Sequence, residues 1–377
     1  MSHWLETLGG IDALEVGEFD AGLVSAFEER FARLPADSAQ RVNFYVPTFK
    51  TFATSEIAGC GKSVWPAVSI TGPECKLQCD HCKARLLEPM IPATTPDALW
   101  RVVNEQVAAG AMGMLLTGGS NLRDEVEYGP FFPAIRRIKD AFPDFRIAMH
   151  TALATRDQAK RIEESGVDAA MLDIIGAQDT VTQVYHLKRP VADFEAALAY
   201  LTETSLKVVP HIVIGLHYGR MLGEWHALEM IARHKPAALV LVVIMPFYAP
   251  AKRPFAVPTS REVGRFFMDA RAALPDIPVL LGCARPPGQA KVEIDAYAVM
   301  AGLNGLAHPS DGTVELAARL GRSIKVTPAC CSIAMGDEVL ALEAGRDALT
   351  VDVEEFLRDS GRRRGARTLA GIPVVAA

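Results

Sequence analysis

The stretch LKVVPHIVIGLHYGRMLGEWHALEMIARHKPAALVLVVIMPF, residues 206–247, holds two nearly continuous apolar runs with one helical stretch between them. LKVVPHIVIGL (206–216) and ALVLVVIMPF (238–247) have the length and β-branched content of strands buried on both faces. The residues near 222–235 place apolar side chains at helical spacing. Strand, helix, strand is the repeating unit of a parallel sheet, since a crossover is needed to begin the next strand at the same end. The pattern continues in both directions. Upstream lie VWPAVSI (64–70), MGMLLTG (112–118), FRIAMHT (145–151) and VDAAMLDII (167–175); downstream lie PVLLGCA (278–284) and LNGLAHP (303–309). Helices are expected near 95–109, 130–141, 155–165, 191–204, 259–274, 289–301 and 311–320. Eight strand–helix units predict an α/β fold, a parallel (β/α)8 TIM-type barrel over 63–322. A doubly wound open sheet is the alternative.

Residues 1–62 are expected to form an N-terminal helical extension. Residues 323–377 form a C-terminal extension with the strand candidate SIKVTP, a cysteine pair, a helix near 337–358 and the basic run RRRGAR, a solvated tail. Half of the 377 residues are hydrophobic and 22% are charged, which supports a sizeable core. A net charge of −6 argues against a general nucleic-acid binder, because phosphates demand an excess of cations. The uncharged apolar stretch 236–251 is shorter than a membrane span and contains Pro246 and Pro250. The opening MSHWLETLGG has no basic region followed by an apolar core. The expectation is a cytoplasmic protein with neither membrane nor nucleic acid as partner.

Seven cysteines, an odd number in such a setting, point to metal ligands or free thiols rather than disulfides. The densest group is in SITGPECKLQCDHCKARLLEPM (69–90), where Cys75, Cys79 and Cys82 follow the first barrel strand at C-x3-C-x2-C spacing. In a parallel barrel the loops after strands form the active face, so these thiols stand where chemistry is expected. Three thiolates suit an iron–sulfur cluster with one iron left open to a ligand. The bland reading is a structural zinc site with His81 as fourth ligand.

The motif in this place resembles that of the radical S-adenosylmethionine enzymes. The resemblance implies a [4Fe–4S] cluster on Cys75, Cys79 and Cys82, with S-adenosyl-L-methionine on its fourth iron. It also implies that Thr117, Gly118, Gly119 and Ser120 lie at the cofactor's amino group, although the family commonly has a glutamate where Ser120 stands. HIVIGLHY, with His211, Val213 and Gly215, resembles the adenine-binding stretch. Asp173 suits the ribose, Lys188 or Arg189 the carboxylate, and Met245 the adenine edge. His150 and His211 stand at strand ends, where a hydrogen-bonded core histidine is the alternative.

Cys283 ends the seventh barrel strand, and about ten extended residues could bring Cys330 and Cys331 up to the same face. These three, with Ser332, are candidates for a second iron–sulfur cluster; the alternative is that they are small buried hydrophobes. Adjacent cysteines can both serve only where the backbone turns. The run from YVPTFK (45–50) through VYHLKRPVADF and GCARPPG to TPACCSI resembles the two-component lipoyl synthases. That resemblance implies sulfur insertion into the octanoyl chain of a carrier protein or lipoyl domain, with a companion radical protein and an electron-donor protein as partners. A radical mutase or biotin-synthase-like enzyme on a free small molecule, and a non-enzymatic zinc-stabilised barrel scaffold, remain as the other two readings.

Overall fold

The structure is a computed structural model describing residues 2–34, 40–47, 54–57, 64–245, 247 and 249–333. Cys60, the helix expected near 337–358 and the basic run at 362–367 lie outside the described residues.

Helices α1 (His3–Gly9) and α2 (Ala21–Phe31) precede strand β1 (Arg41–Tyr45). Strands β2 (Ala67–Ser69) and β3 (Ile91–Pro92) flank the cysteine motif. Alternation then follows: α3 (Pro96–Ala108), β4 (Gly113–Thr117), α4 (Phe132–Ala141), β5 (Arg146–His150), α5 (Arg156–Glu164) and β6 (Ala169–Asp173). After the short α6 (Gln178–Gln183) come α7 (Ala192–Thr202), β7 (Lys207–Ile214), α8 (Glu224–His234), β8 (Leu239–Val243) and α9 (Ser260–Ala273). The series ends with β9 (Val279–Leu281), α10 (Gln289–Met300), β10 (Gly305–Ala307), α11 (Thr313–Arg319) and β11 (Ser323–Thr327).

Local chemistry sets the helix starts. Thr95 caps α3 through the Ala98 N–H at 3.1 Å, with Pro96 in the first turn where its missing N–H costs nothing. Reciprocal capping boxes open α5 at Thr155 and Gln158, and α9 at Thr259 and Glu262.

All strand pairs in the sheet are parallel, in the order β11-β1-β10-β9-β8-β7-β6-β5-β4-β2-β3. The parallel α/β barrel architecture expected from the alternation is present as a partial barrel of eleven strands. Three strands exceed the eight repeating units. One of them, β1, falls in the stretch expected to be helical, because its five residues are held by partners more than 250 residues away and carry little local signal. Another, β11, is the expected SIKVTP strand, and it carries the chain back up to the end of the sheet that bears the cysteine motif. The third, β3, is a two-residue edge strand.

Alternation along each strand separates two cores. Ile147, Met149, Ala170, Leu172, Val208, Leu241 and Leu281 face the helices. Ala148, Ala169, Met171, Val209, Val240, Leu280 and Ala307 face the concave side, where Tyr45, Trp65, Ala329, Cys331 and Ile333 join them. The segment after β11 therefore closes over the barrel interior.

Candidate active site

The loop between β2 and β3 carries the three motif cysteines at the C-terminal end of the sheet. It is tightly wound, with Gln78, Lys83 and Ala84 all at positive φ. Asp80, inside the motif, ties it down. The Lys83 ammonium donates to one Asp80 oxygen at 2.6 Å, His186 Nε2 lies 3.0 Å from the same oxygen, and Tyr218 donates to the other at 2.7 Å. Burial pushes the Asp80 pKa up, but these three donors outweigh it and hold the carboxyl below its ordinary value.

The turn at Thr117–Ser120, after β4, is the seat of this loop. Lys76 N–H donates to the Ser120 carbonyl at 2.9 Å, the Cys75 thiol lies 3.7 Å from the same oxygen, and Gly119 N–H donates to Thr71 Oγ1 at 2.7 Å. A Cβ on Gly119 would stand 1.9 Å from the Glu74 carbonyl and 2.5 Å from Cys75 Cα. A Cβ on Gly118 would meet Ile70 at 2.8 Å. Glycine at 119 is thus required for the cysteine loop to lie against the strand end.

Burial pushes the Cys79 thiol well above its ordinary pKa and Cys82 to about 11, and the neighbouring thiolates add to both shifts. The three sulfurs therefore share one electrostatic environment. Thiols of this kind ionise only beside a strongly positive group, and three soft donors on one loop match an iron–sulfur cluster in chemistry. Among the described residues, no group of three or more His, Cys, Asp or Glu side chains converges on a single ion. A single zinc ion needs its ligands at about 2.0–2.3 Å from one point, whereas a cluster spreads its thiolates over separate irons.

Asp173, His150 and His211 stand at or near the C-terminal ends of β6, β5 and β7. His150 Nε2 lies 3.8 Å from Asp173, the two imidazole rings are 6.2 Å apart, and Tyr185 donates to Asp173 at 3.3 Å. Burial alone would raise the Asp173 pKa, but His150, His211 and His81 outweigh it and hold the carboxyl at about 2. Burial lowers His150, but Asp173 and Asp124 outweigh it and push the imidazole above its ordinary value. His211 and His81 are driven down to about 4 by burial, and His81 stacks on Tyr185 at 5.1 Å. Asp124, buried on the loop after β4, is pushed up to about 6. Asp173 is thus ionised at neutral pH beside His150, an imidazole whose protonated form it favours, with His211 neutral next to them.

The remaining candidates are more dispersed. Lys188 is exposed. Arg189 is engaged by Asp193 at 2.6 Å, by the Arg123 carbonyl at 3.0 Å and by Glu125 at 3.5 Å. Val213 on β7 and Met245 after β8 are half-buried. Gly215 has a φ of +79°, its N–H donates to the buried Glu224 carboxylate at 2.7 Å, and a Cβ there would meet Pro258 at 2.4 Å.

Cys283, Cys330 and Cys331 are brought together against the concave core. The backbone turns at the pair, with Ile333 N–H donating to the Cys330 carbonyl at 3.2 Å. A hydrogen bond from the Cys331 thiol pulls Cys330 down to about 7, while the bond to Cys330 and burial push Cys331 up, with Cys283 adding to the rise. The loop bearing Cys283 is locked by Arg285, which is buried, pairs with Asp295 and donates to the Gly282 and His308 carbonyls at 2.7 and 2.8 Å. The Asp80 anchor, Tyr185, Asp124 and the Arg285 lock are neighbours of the candidate residues that the sequence reading missed. Only Asp80 had a local signal, its place inside the motif.

The sequence matches no protein-family model and no curated protein. The architecture is a partial α/β barrel of parallel strands. Among solved structures it is similar to HydG, a maturase of the [FeFe]-hydrogenase, with a TM-score of 0.56 and 12% identity over 91% of this chain and 80% of that one. HydG from Carboxydothermus hydrogenoformans gives 0.52 and 13%, over 95% and 89% of the two chains. Methylornithine synthase gives 0.50 and 12%, over 82% and 87%. At such identities the likeness is one of fold.

Proposed function

We propose that this chain is a radical S-adenosylmethionine enzyme that inserts sulfur into a protein-bound octanoyl chain, as one component of a two-protein lipoyl synthase. The observation that carries it is the presence of two cysteine groups at the C-terminal end of one barrel. Cys75, Cys79 and Cys82 occupy the loop after β2, and Cys283, Cys330 and Cys331 meet beside β9 and β11. The partial-barrel fold supports the enzyme class.

In this reading Cys75, Cys79 and Cys82 would hold a [4Fe–4S] cluster that binds S-adenosylmethionine. Bound together, the two supply a 5′-deoxyadenosyl radical able to take hydrogen from an unactivated carbon. The chain's own residues bind and orient. Asp173, ionised at neutral pH, accepts hydrogen bonds from ribose hydroxyls. The turn at Thr117–Ser120 seats the cysteine loop. Cys283, Cys330 and Cys331 would hold a second iron–sulfur cluster, which would supply the sulfur atom. The octanoylated carrier domain, the companion radical protein and an electron-donor protein are the partners this reading requires.

A second reading, a radical enzyme acting on a free small molecule, draws support from the fold likeness to methylornithine synthase. The test is anaerobic reconstitution with an octanoylated carrier domain, followed by mass spectrometry of the acyl group. Wild type should gain one sulfur per chain, and Cys330→Ala/Cys331→Ala should lose both that product and part of the iron. A variant that keeps the parent's iron and acid-labile sulfide would transfer support to the small-molecule reading. Bound zinc without acid-labile sulfide would leave only the scaffold.

A further inference from the structure

The loop after β7 (215–223) and residues 249–259 of the loop after β8 pack into one ridge at the rim of the cysteine-bearing face. Gly219, at a φ of +89°, approaches so closely that a Cβ would stand 2.3 Å from the Ala256 carbonyl, and Ala256 N–H donates to the Tyr218 carbonyl at 3.2 Å. The buried Phe255 ring lies 4.7 Å from Tyr218. The ridge is therefore internally packed, yet it leaves large apolar side chains in solvent. Phe247 is 60% exposed, Leu222 47% and Val257 38%, and Trp225, at the start of α8, is 43% exposed. Scattered single hydrophobes are ordinary on a surface, but Leu222, Phe247 and Val257 stand on two touching loops; Trp225, at the adjoining helix start, turns toward α9 and donates to Asp269 at 3.0 Å.

Charge gives the ridge its sign. Neither loop contains an Asp or Glu, while Arg220, Lys252 and Arg253 are all exposed. Arg253 is held 3.8 Å over the Tyr218 ring. Arg220 and Lys252 pair with no carboxylate among the described residues. This local excess of cations stands on a chain whose net charge is −6. A cationic rim around exposed aromatic and aliphatic side chains is the anatomy of a protein-docking site complementary to an acidic surface. Nucleic acid would need phosphate-binding cations more than exposed leucine and valine.

We propose that this ridge docks an acidic protein domain and so delivers a group tethered to that domain to the neighbouring cysteine loop. The identity of the tethered group rests on the octanoyl reading above; the surface and the charge of its occupant do not. The ridge touches the catalytic loop directly, since Tyr218 hydrogen-bonds Asp80.

The test uses the full chain and an octanoylated carrier domain of net negative charge, with binding followed by calorimetry at two salt concentrations. Arg220→Glu/Lys252→Glu and, separately, Leu222→Asp should each weaken binding at least tenfold. The charge variant should also flatten the salt dependence. Reductive cleavage of S-adenosylmethionine without the domain should be unchanged in both, which guards against misfolding. Equal affinity of wild type and variants overturns the proposal. So does tighter wild-type binding to a structured RNA probe, or a self-association that both variants abolish, which would make a second copy the occupant. Domain binding without sulfur insertion would defeat the octanoyl reading and leave the docking site standing. Sulfur insertion with unaltered KM in the variants would do the reverse.

Discussion

The Tyr218 hydroxyl donates a 2.7 Å hydrogen bond to Asp80, joining the loop after β7 to the cysteine loop across 138 residues of sequence. The Tyr218 oxygen also lies 2.8 Å from the carbonyl of Gln183, the last residue of α6, so three segments meet at one phenol whose single proton the two acceptors compete for. Asp80 stands between Cys79 and Cys82, and whatever fixes Asp80 fixes the spacing of the thiols. A hydrogen bond to a charged group contributes roughly 1.5–3 kcal/mol. Tyr218→Phe should fold with a modestly lower melting temperature, and Asp80→Ala should lose more, because Lys83 and His186 are then left without their acceptor. Iron bound per chain after anaerobic reconstitution should fall in the same order, and equal iron in all three proteins would count against the anchor.

Gly119→Ala places a methyl group into the Glu74 carbonyl and the Cys75 backbone. Overpacking of this kind typically costs about 1–3 kcal/mol, and here it falls on backbone that cannot rotate away. Gly9→Ala, with nothing within 4 Å of the added Cβ, is the control and should stay within about 1 kcal/mol of wild type. Urea denaturation of the two variants reads the difference.

Glu56 should make the fold pH-sensitive. Its buried carboxylate accepts the N–H groups of Val314 and Glu315 at the start of α11, and burial pushes its pKa up to about 7. A raised carboxyl pKa means that the folded state holds the proton more tightly than the unfolded chain. Stability is therefore greatest below about 4.5 and declines as pH rises to about 7, by roughly 3 kcal/mol for this group alone. Glu56→Gln should remove that slope, which is measured as the difference in unfolding free energy between the two proteins at pH 4.5 and pH 7.

In metal-free protein, Cys330 should be the more reactive member of the adjacent pair. The hydrogen bond from Cys331 stabilises its thiolate near neutral pH, while Cys331 itself is pushed up. Alkylation at Cys330 should rise through pH 7 and precede that at Cys331, and peptide mapping of partly alkylated protein would reveal the reverse order if the assignment is wrong.

Much of the fold is legible in the sequence because parallel strands buried on both faces become unbroken apolar runs. The runs at 206–216 and 238–247 contain β7 and β8, and the helix between them appears at Glu224–His234 against an expected 222–235. Where pairing alone makes the strand, the signal fails. β1 has five residues and finds both neighbours, β10 and β11, more than 250 residues away.

Local spacing alone carries the alternation of strands and helices and the place of Cys75, Cys79 and Cys82 just after the first of the repeating strands. The sequence also put Cys283, Cys330 and Cys331 forward as one candidate set, on a segment long enough to reach the end of the seventh barrel strand, without fixing the path of that segment or the turn at the pair. Only the tertiary structure decided that β11 carries the pair upward, that the backbone turns at Cys330, and that Cys283 lies beside it. The same holds for Asp80, whose partners Lys83, His186 and Tyr218 come from three loops. A hydrogen bond or a thiol contact depends on distances of a few ångströms between segments far apart in the chain, and no periodicity records those distances until the sheet has brought the strand ends together.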